Sequence, residues 1–212
     1  MEGKIEKVEK RDQILEAAEQ LFFNKGFEGT SVREVCQLAN VNVAMVNYYF
    51  GSKEGLFEKM IERRASFLKG KLQQLMDDQS LSAAEKINRI IDSYVERLFS
   101  HRGFTLTIMR EMTVQQRSHF HETMANIFIG NMRIIKHIVQ KGIDDGEFRK
   151  VDIEMTLSSL IGTIYQVLIN DCMVIKMTDA PADFKPYEDD SFMERVKLHL
   201  KDMMHAHLQN KN

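Results

Sequence analysis

The chain contains no tryptophan, two prolines and two cysteines in 212 residues. Each shortage excludes something. Pro181 and Pro186 sit in one short stretch, so the rest of the sequence is free of the residue that helix interiors tolerate least. Cys36 and Cys172 are distant in sequence and each lies among apolar neighbours. They read as two small buried hydrophobes in a reducing compartment rather than as a disulfide. No apolar run reaches the roughly 18–20 residues that a membrane helix requires. The longest, from Leu157 to Ile169, contains Gln166 and is flanked by Glu154 and Asp171. The opening residues MEGKIEKVEKRDQ are charged and lack the apolar centre of a signal peptide. A soluble cytoplasmic protein is expected, with no membrane partner. Positive charge is not in excess either: the net charge is −2, and residues 1–60 hold 8 Lys/Arg against 10 Asp/Glu. That argues against a strongly basic nucleic-acid binder, but not against a compact one that holds phosphates with few cations and with backbone N–H groups.

Several chemistries are missing as well. No Gly-rich phosphate loop, internal repeat or strand-like alternation occurs, and no Ser/His/Asp or Cys/His order has a supporting motif. His119-x-His121 and His205-x-His207 suggest a metal, but residues two apart on a helix point to different faces. No carboxylate or cysteine completes either set. Neither a metal nor a cofactor is expected, nor an enzyme.

What is present is helical. Hydrophobic residues make up 43% of the chain, enough for a substantial core. Arg11 to Lys25 carries an apolar stripe at Ile14, Leu15, Ala18, Leu21 and Phe22, ended by Gly26. Ser31 and Glu34 form a capping box for a helix that should bury Val35 and Leu38. Asn40 suits a left-handed turn, Asn42 caps Val43–Tyr49, and Gly51 ends that helix. Ser52 then caps a long helix from Lys53 to Asp78. Ser82 with Glu85, Thr113 with Gln116, Asp152, and Ser191 with Glu194 open further helices, reaching about His101, Asp145, Met177 and Gln209. The stretch from Thr178 to Asp190, with both prolines, reads as an exposed loop. The predicted fold is all-α with about nine helices, divided into a helix-turn-helix domain at 1–52 and a larger helical body at 53–212.

The segment TSVREVCQLANVNVAMVNYYFGSKEGLF, residues 30–57, holds two short helices joined by a tight polar turn and followed at once by Lys53. In a helix-turn-helix dock the second helix lies in the major groove and the first crosses the backbone. Val43, Ala44, Met45 and Asn47 would face the bases, whereas Val46 and Phe50 would face the core. The first three can meet only thymine methyls; Asn47 can bind adenine bidentately. Arg33 suits guanine or phosphate. Thr30 and Ser31 suit a phosphate at a helix N-terminus, and Asn42 stands at the start of the reading helix. Tyr48, Tyr49 and Lys53 suit the opposite phosphates.

Residues 11–57 resemble the N-terminal domain of the TetR family of bacterial transcriptional regulators. The resemblance rests on Arg11, Ile14-Leu15, Ala17-Ala18, Leu21-Phe22, Gly26-Phe27, Thr30-Ser31-Val32, Ala39, Val41, Tyr48-Tyr49-Phe50, Ser52-Lys53-Glu54 and Leu56, in the family's order and spacing. Two positions depart from it: Asn47, often aromatic in the family, and Asn40, often glycine. The resemblance implies a homodimeric, ligand-responsive repressor that binds a palindromic DNA operator and is released by a small-molecule effector in the C-terminal body.

Within that body the 152–177 helix is apolar on more than one side and the last helix has a narrower apolar face. Leu157, Ile161, Ile164 and Leu168 with Val196, Leu200 and Met203 are therefore expected at a dimer interface. Met109, Met112, Phe120, Met124 and Phe128 recur at helical spacing and, with Tyr165 and Met173, could wall a ligand pocket. An all-α enzyme, or a DNA-independent ligand-binding or protein-interaction module, is the alternative. Turnover or partner binding that survives loss of Tyr49 and Lys53 would distinguish it.

Overall fold

A computed structural model of the chain describes residues 2–113 and 118–209, with side chains placed for 9–113 and 121–209. It contains α1 (Glu2–Lys25), α2 (Val32–Leu38), α3 (Val43–Phe50), α4 (Lys53–Asp77), α5 (Ala83–Ser100), α6 (Arg102–Thr113), α7 (Ser118–Asp144), α8 (Ile153–Ile169), α9 (Asp171–Met177) and α10 (Asp190–Leu208). No strand occurs among the described residues. Among the described residues, no single helix is long and apolar enough to cross a membrane.

The chain divides into two compact units, one of residues 1–68 with 103–129 and one of 69–102 with 130–212. The core of the first is built around three fully buried rings. Phe27 stacks on Phe22 at 5.5 Å between centroids, and Phe57 meets Phe22 and Phe27 edge-on at 4.9 and 5.1 Å. Ile14, Leu15 and Ala18 of α1, Val35 of α2, Val46 of α3 and Met60 of α4 close around them. Ile108 of α6 and Met124 of α7 belong to the same core. The fastening of α6 to the end of α1 is specific. The Phe23 ring lies where a Cβ on Gly103 would stand, 1.5 Å from it, and the Arg110 guanidinium covers Gly26 in the same way. Thr107 Oγ1 donates to Gly103 O at 2.9 Å, with Phe22 O at 3.5 Å.

In the second unit α5 packs along α10. Lys197 reaches Glu96 at 2.8 Å and Lys201 reaches Asp92 at 2.6 Å, while His205 Nε2 donates to Asn88 Oδ1 at 2.8 Å. Glu147 caps α5, accepting from the Ala83 and Ala84 N–H groups at 2.8 and 2.7 Å.

Several sequence expectations change. The segment from Arg102 to Thr113 is a helix that the sequence pattern did not indicate, and α1 begins at Glu2 rather than Arg11. The expected 152–177 helix is two helices meeting at a 97° bend. Asn170 is extended there (φ −144, ψ 104), and its side chain accepts from Met173 N at 3.1 Å. An asparagine that can cap a new helix competes with continuing the old one. The last helix is capped by Asp189, which accepts from Phe192 N, and Ser191 lies inside it. Leu38 is 48% exposed: Val35, Cys36 and Ala39 form the buried arc of α2, with Val32 at its edge, and Leu38 points away from that arc. The 178–190 loop is not wholly exposed. Pro186 is buried, Tyr187 OH donates to Val167 O at 2.9 Å, and Arg102 lies 4.0 Å over the Tyr187 ring. The expected box at Thr113 reaches Gln116, which lies outside the described residues.

Candidate nucleic-acid interface

The local folding of residues 26–53 follows their capping chemistry. Gly26 takes φ 72 and Asn40 φ 51, the left-handed turns that end α1 and separate α2 from α3. Ser31 accepts from Glu34 N at 3.2 Å, and the Glu34 carboxylate accepts from Ser31 N at 2.8 Å, a complete capping box. Asn42 Oδ1 accepts from Met45 N at 3.0 Å, and Ser52 Oγ accepts from Gly55 N at 3.1 Å. These bonds fix where α3 begins and ends. Its inner face is set by Val46, fully buried, and Phe50. Its outer face presents Val43, Ala44, Asn47 and Tyr48, the last 74% exposed. Met45 and Tyr49 are part-buried against the core.

Beside this face an open groove of about 820 Å³ is lined by Lys10, Arg33, Cys36, Gln37, Asn40, Val41, Asn42, Val43 and Met45. Lys10 and Gln37 were not among the residues expected at the DNA. Gln37 lies one turn after Arg33 on α2, a spacing that would have revealed it. Lys10 is brought there by α1, which sequence spacing could not show. Cys36 is buried beneath the groove, and that burial pushes its thiol above the ordinary range. A protonated thiol is a packing group, not a nucleophile.

Thr30 requires a correction. It is 1% exposed, and its hydroxyl donates to Gly26 O at 2.8 Å, so it holds the turn and cannot meet a phosphate in this arrangement. Ser31 is exposed but committed to its cap. Lys53 Nζ sits 4.4 Å from the Phe27 ring centroid, a cation held over an aromatic face at the end of the reading helix. Four of the ten acids of residues 1–60 lie near cations. Glu34 meets Lys25 Nζ at 2.5 Å, Glu19 pairs with Arg64, and Asp12 and Glu16 lie 3.7 Å from Arg63. The Lys25 hydrogen bond, followed by the bonds from Ser31, holds the Glu34 carboxyl down to about 2. Part of the segment's acidity is thus compensated locally, and α3 itself carries no acid.

Residues 14–60 match the family model for bacterial regulatory proteins of the tetR family, and residues 57–183, more than half of the chain, match the model for the YsiA-like protein C-terminal region. The chain belongs to the TetR family of bacterial transcriptional regulators. The probable HTH-type transcriptional regulator YttP of Bacillus subtilis is 27% identical over 199 residues, covering 92% of this chain and 94% of its own. The HTH-type transcriptional repressor NicS of Pseudomonas putida is 32% identical over 144 residues, 66% of each protein. In fold, the chain resembles the transcriptional regulator FadR from Bacillus subtilis in complex with stearoyl-CoA, with TM-score 0.73 and 17% identity over 91% of this chain and 96% of that one. It is a helix-turn-helix DNA-binding regulator of transcription.

For this TetR-family chain the body residues sort differently from expectation. Leu157, Ile164, Leu168, Val196 and Leu200 are buried within the single chain, and Ile161 and Met203 are part-buried. The five buried ones belong to the chain's own core, since a helix covered on two sides can be covered by its own neighbours. Leu157, Ile161 and Ile164, with Tyr94 and Met132, instead line a cavity of about 10 Å³, little more than room for one water. The pocket candidates divide between the units. Met124 is fully buried in the first core, Phe128 packs against it, Met109 is part-buried and Met112 is exposed. Tyr165 is part-buried in the second unit, and Met173 is exposed there. The Phe120 side chain lies outside the described residues, as does that of His119. The other histidines of the two His-x-His pairs have partners. His121 Nε2 lies 3.3 Å from Glu111 O, and His207 bridges Arg149 at 3.2 Å and Thr156 at 3.0 Å. Among the described residues, no group of three or more potential ligands could hold a metal.

Proposed function

We propose that the protein is a homodimeric, ligand-responsive repressor that binds a palindromic operator in the cytoplasm and has no enzymatic activity of its own. What carries the reading is α3: a helix capped at both ends, buried on one side through Val46 and Phe50, and exposed on the other through Val43, Ala44 and Asn47. Asn47 is assigned to adenine, Val43, Ala44 and Met45 to thymine methyls, and Arg33 to guanine or phosphate. Lys53, Tyr48 and Tyr49 would meet phosphates, with Ser31 and Asn42 at the two helix N-termini. The DNA-binding part is assigned to 1–52, and effector binding and dimerisation to 53–212.

A second copy of the chain suits the exposed side of α8. Met155 and Ile169 are exposed there, with Ser158, Ser159 and Gly162 between them, so another helix could approach closely. On α10, Leu198 is 59% exposed and offers a matching apolar contact. An effector held in the body would act by binding one arrangement of α4 better than another, since a ligand shifts a conformational equilibrium only by its differential affinity. Stearoyl-CoA, found in the structure of FadR, is a reasonable first probe.

The test is a mobility-shift assay with the DNA flanking the protein's own gene. A sequence-preferring complex supports the reading, and its absence even at low salt would refute it.

A further inference from the structure

The chain passes between its two compact units three times: at 68/69 within α4, at 102/103 at the start of α6, and at 129/130 within α7. The middle passage coincides with a break between helices, where His101 leaves helical geometry (φ −122, ψ 33). The other two run through uninterrupted helices. Each has a glycine at or just beyond the passage: Gly70 in α4 and Gly130 in α7.

Glycine is the least favourable residue in a helix interior after proline, so its presence needs a reason. Three of the six helical glycines whose side-chain surroundings are described have one. A Cβ on Gly55 would meet Phe50 O at 2.2 Å, on Gly103 the Phe23 ring, and on Gly142 the Phe148 ring at 2.4 Å. Gly162 is open, but it lies on the α8 face assigned above to a second copy. Gly70 and Gly130 are different. No atom lies within 4 Å of a Cβ built on either, and neither has a positive φ. Neither packing nor backbone conformation requires them.

We propose that Gly70 and Gly130 are paired hinges, at which α4 and α7 bend together so that the two units can move as separate bodies. Glycine in a helix interior lowers the cost of local opening, and hinges often fall at small residues. With the break at His101 already present, every covalent link between the units then contains a flexible point. On the proposed function, effector binding would use this freedom to reposition the DNA-binding unit; the hinge itself depends on neither DNA nor effector.

The test measures distances within one chain. Gln20→Cys in α1 and the native Cys172 in α9, which is exposed and not buried as its apolar neighbours suggested, lie in different units and can carry spin labels, whereas Cys36 is buried as expected. Labelled protein is diluted with unlabelled protein so that only pairs within a chain are read by pulsed electron resonance. In Gly70→Ala/Gly130→Ala the distance distribution should become roughly twofold narrower. The thermal midpoint should rise by roughly 2–4 °C per substitution. A distribution of unchanged or greater width, with the midpoint raised, would mean that the glycines cost stability without hinging anything and would overturn the proposal. A lowered midpoint would overturn it too, by showing that the glycines serve packing. Because neither readout uses DNA or an effector, failure here is distinct from failure of the repressor reading.

Discussion

Replacing Lys53 by glutamine should change how DNA binding depends on salt more than it changes stability. The ammonium sits 4.4 Å from the Phe27 ring centroid at the first position of α4, directly after the reading helix. In the proposed homodimer, one phosphate bound per protomer gives two. Removing a lysine from one phosphate lowers the slope of log K against log salt by about 0.9, so the slope for the dimer should fall by about 1.8. If variant and parent bind alike near 1 M salt, that difference corresponds to roughly 30-fold weaker binding at about 0.15 M. The weakening should be nearly the same for operator and unrelated DNA, because a phosphate carries no sequence information. The cation–ring interaction is worth only about 0.5–1 kcal/mol at such a part-exposed site, so the thermal midpoint should fall by no more than about 4 °C. Fluorescence anisotropy titrations across a salt series, with a parallel melting curve, measure both. An unchanged slope with intact folding would show that Lys53 is a cap neighbour that never reaches DNA.

Other consequences concern folding, pH and assembly. Phe57→Ala removes a fully buried ring that touches both Phe22 and Phe27, and denaturant unfolding should register a loss of about 3–5 kcal/mol. The Glu34 carboxyl is held down to about 2 in the folded protein. Its stabilising effect is therefore complete above its ordinary range and lost as pH falls through that range toward about 2. Glu34→Gln should flatten the fall of the melting temperature between pH of about 5 and about 2, and an unaltered acid limb would remove Glu34 from that role. If the proposed dimer forms through α8 and α10, Leu198→Glu, at an exposed site on α10, should yield monomers by sedimentation without loss of helix content. Persistence of the dimer would move the interface elsewhere.

The DNA-binding end was legible in the sequence because it is built from short-range chemistry. The Ser31–Glu34 box, the Asn42 cap, and the turns at Gly26 and Asn40 each span five residues or fewer, and their bonds occur as the residue types imply. Thr30 shows the limit. Its type suits a phosphate, but Phe27, Gly26 and the core around them bury it. Periodicity likewise showed that Leu157, Ile164 and Leu200 lie on apolar faces, without showing what covers them. The covering comes from α5, α8 and α10 of the same chain. Leu38 fell the other way, exposed at the edge of an arc too short to bury it.

By itself, the order of residues determined that the chain is helical, where the first helix stops, where the second and third begin, and to which family it belongs. Capping bonds and helical propensity act between residues a few positions apart, so sequence carries them directly. Only the tertiary structure decided that residues 103–129 join the unit that holds the helix-turn-helix, that most of the apolar residues of α8 and α10 turn inward, and that Lys10 and Arg33 line one groove. Those outcomes depend on which surfaces meet across scores of residues, and hydrophobic burial has no direction until a partner surface supplies one.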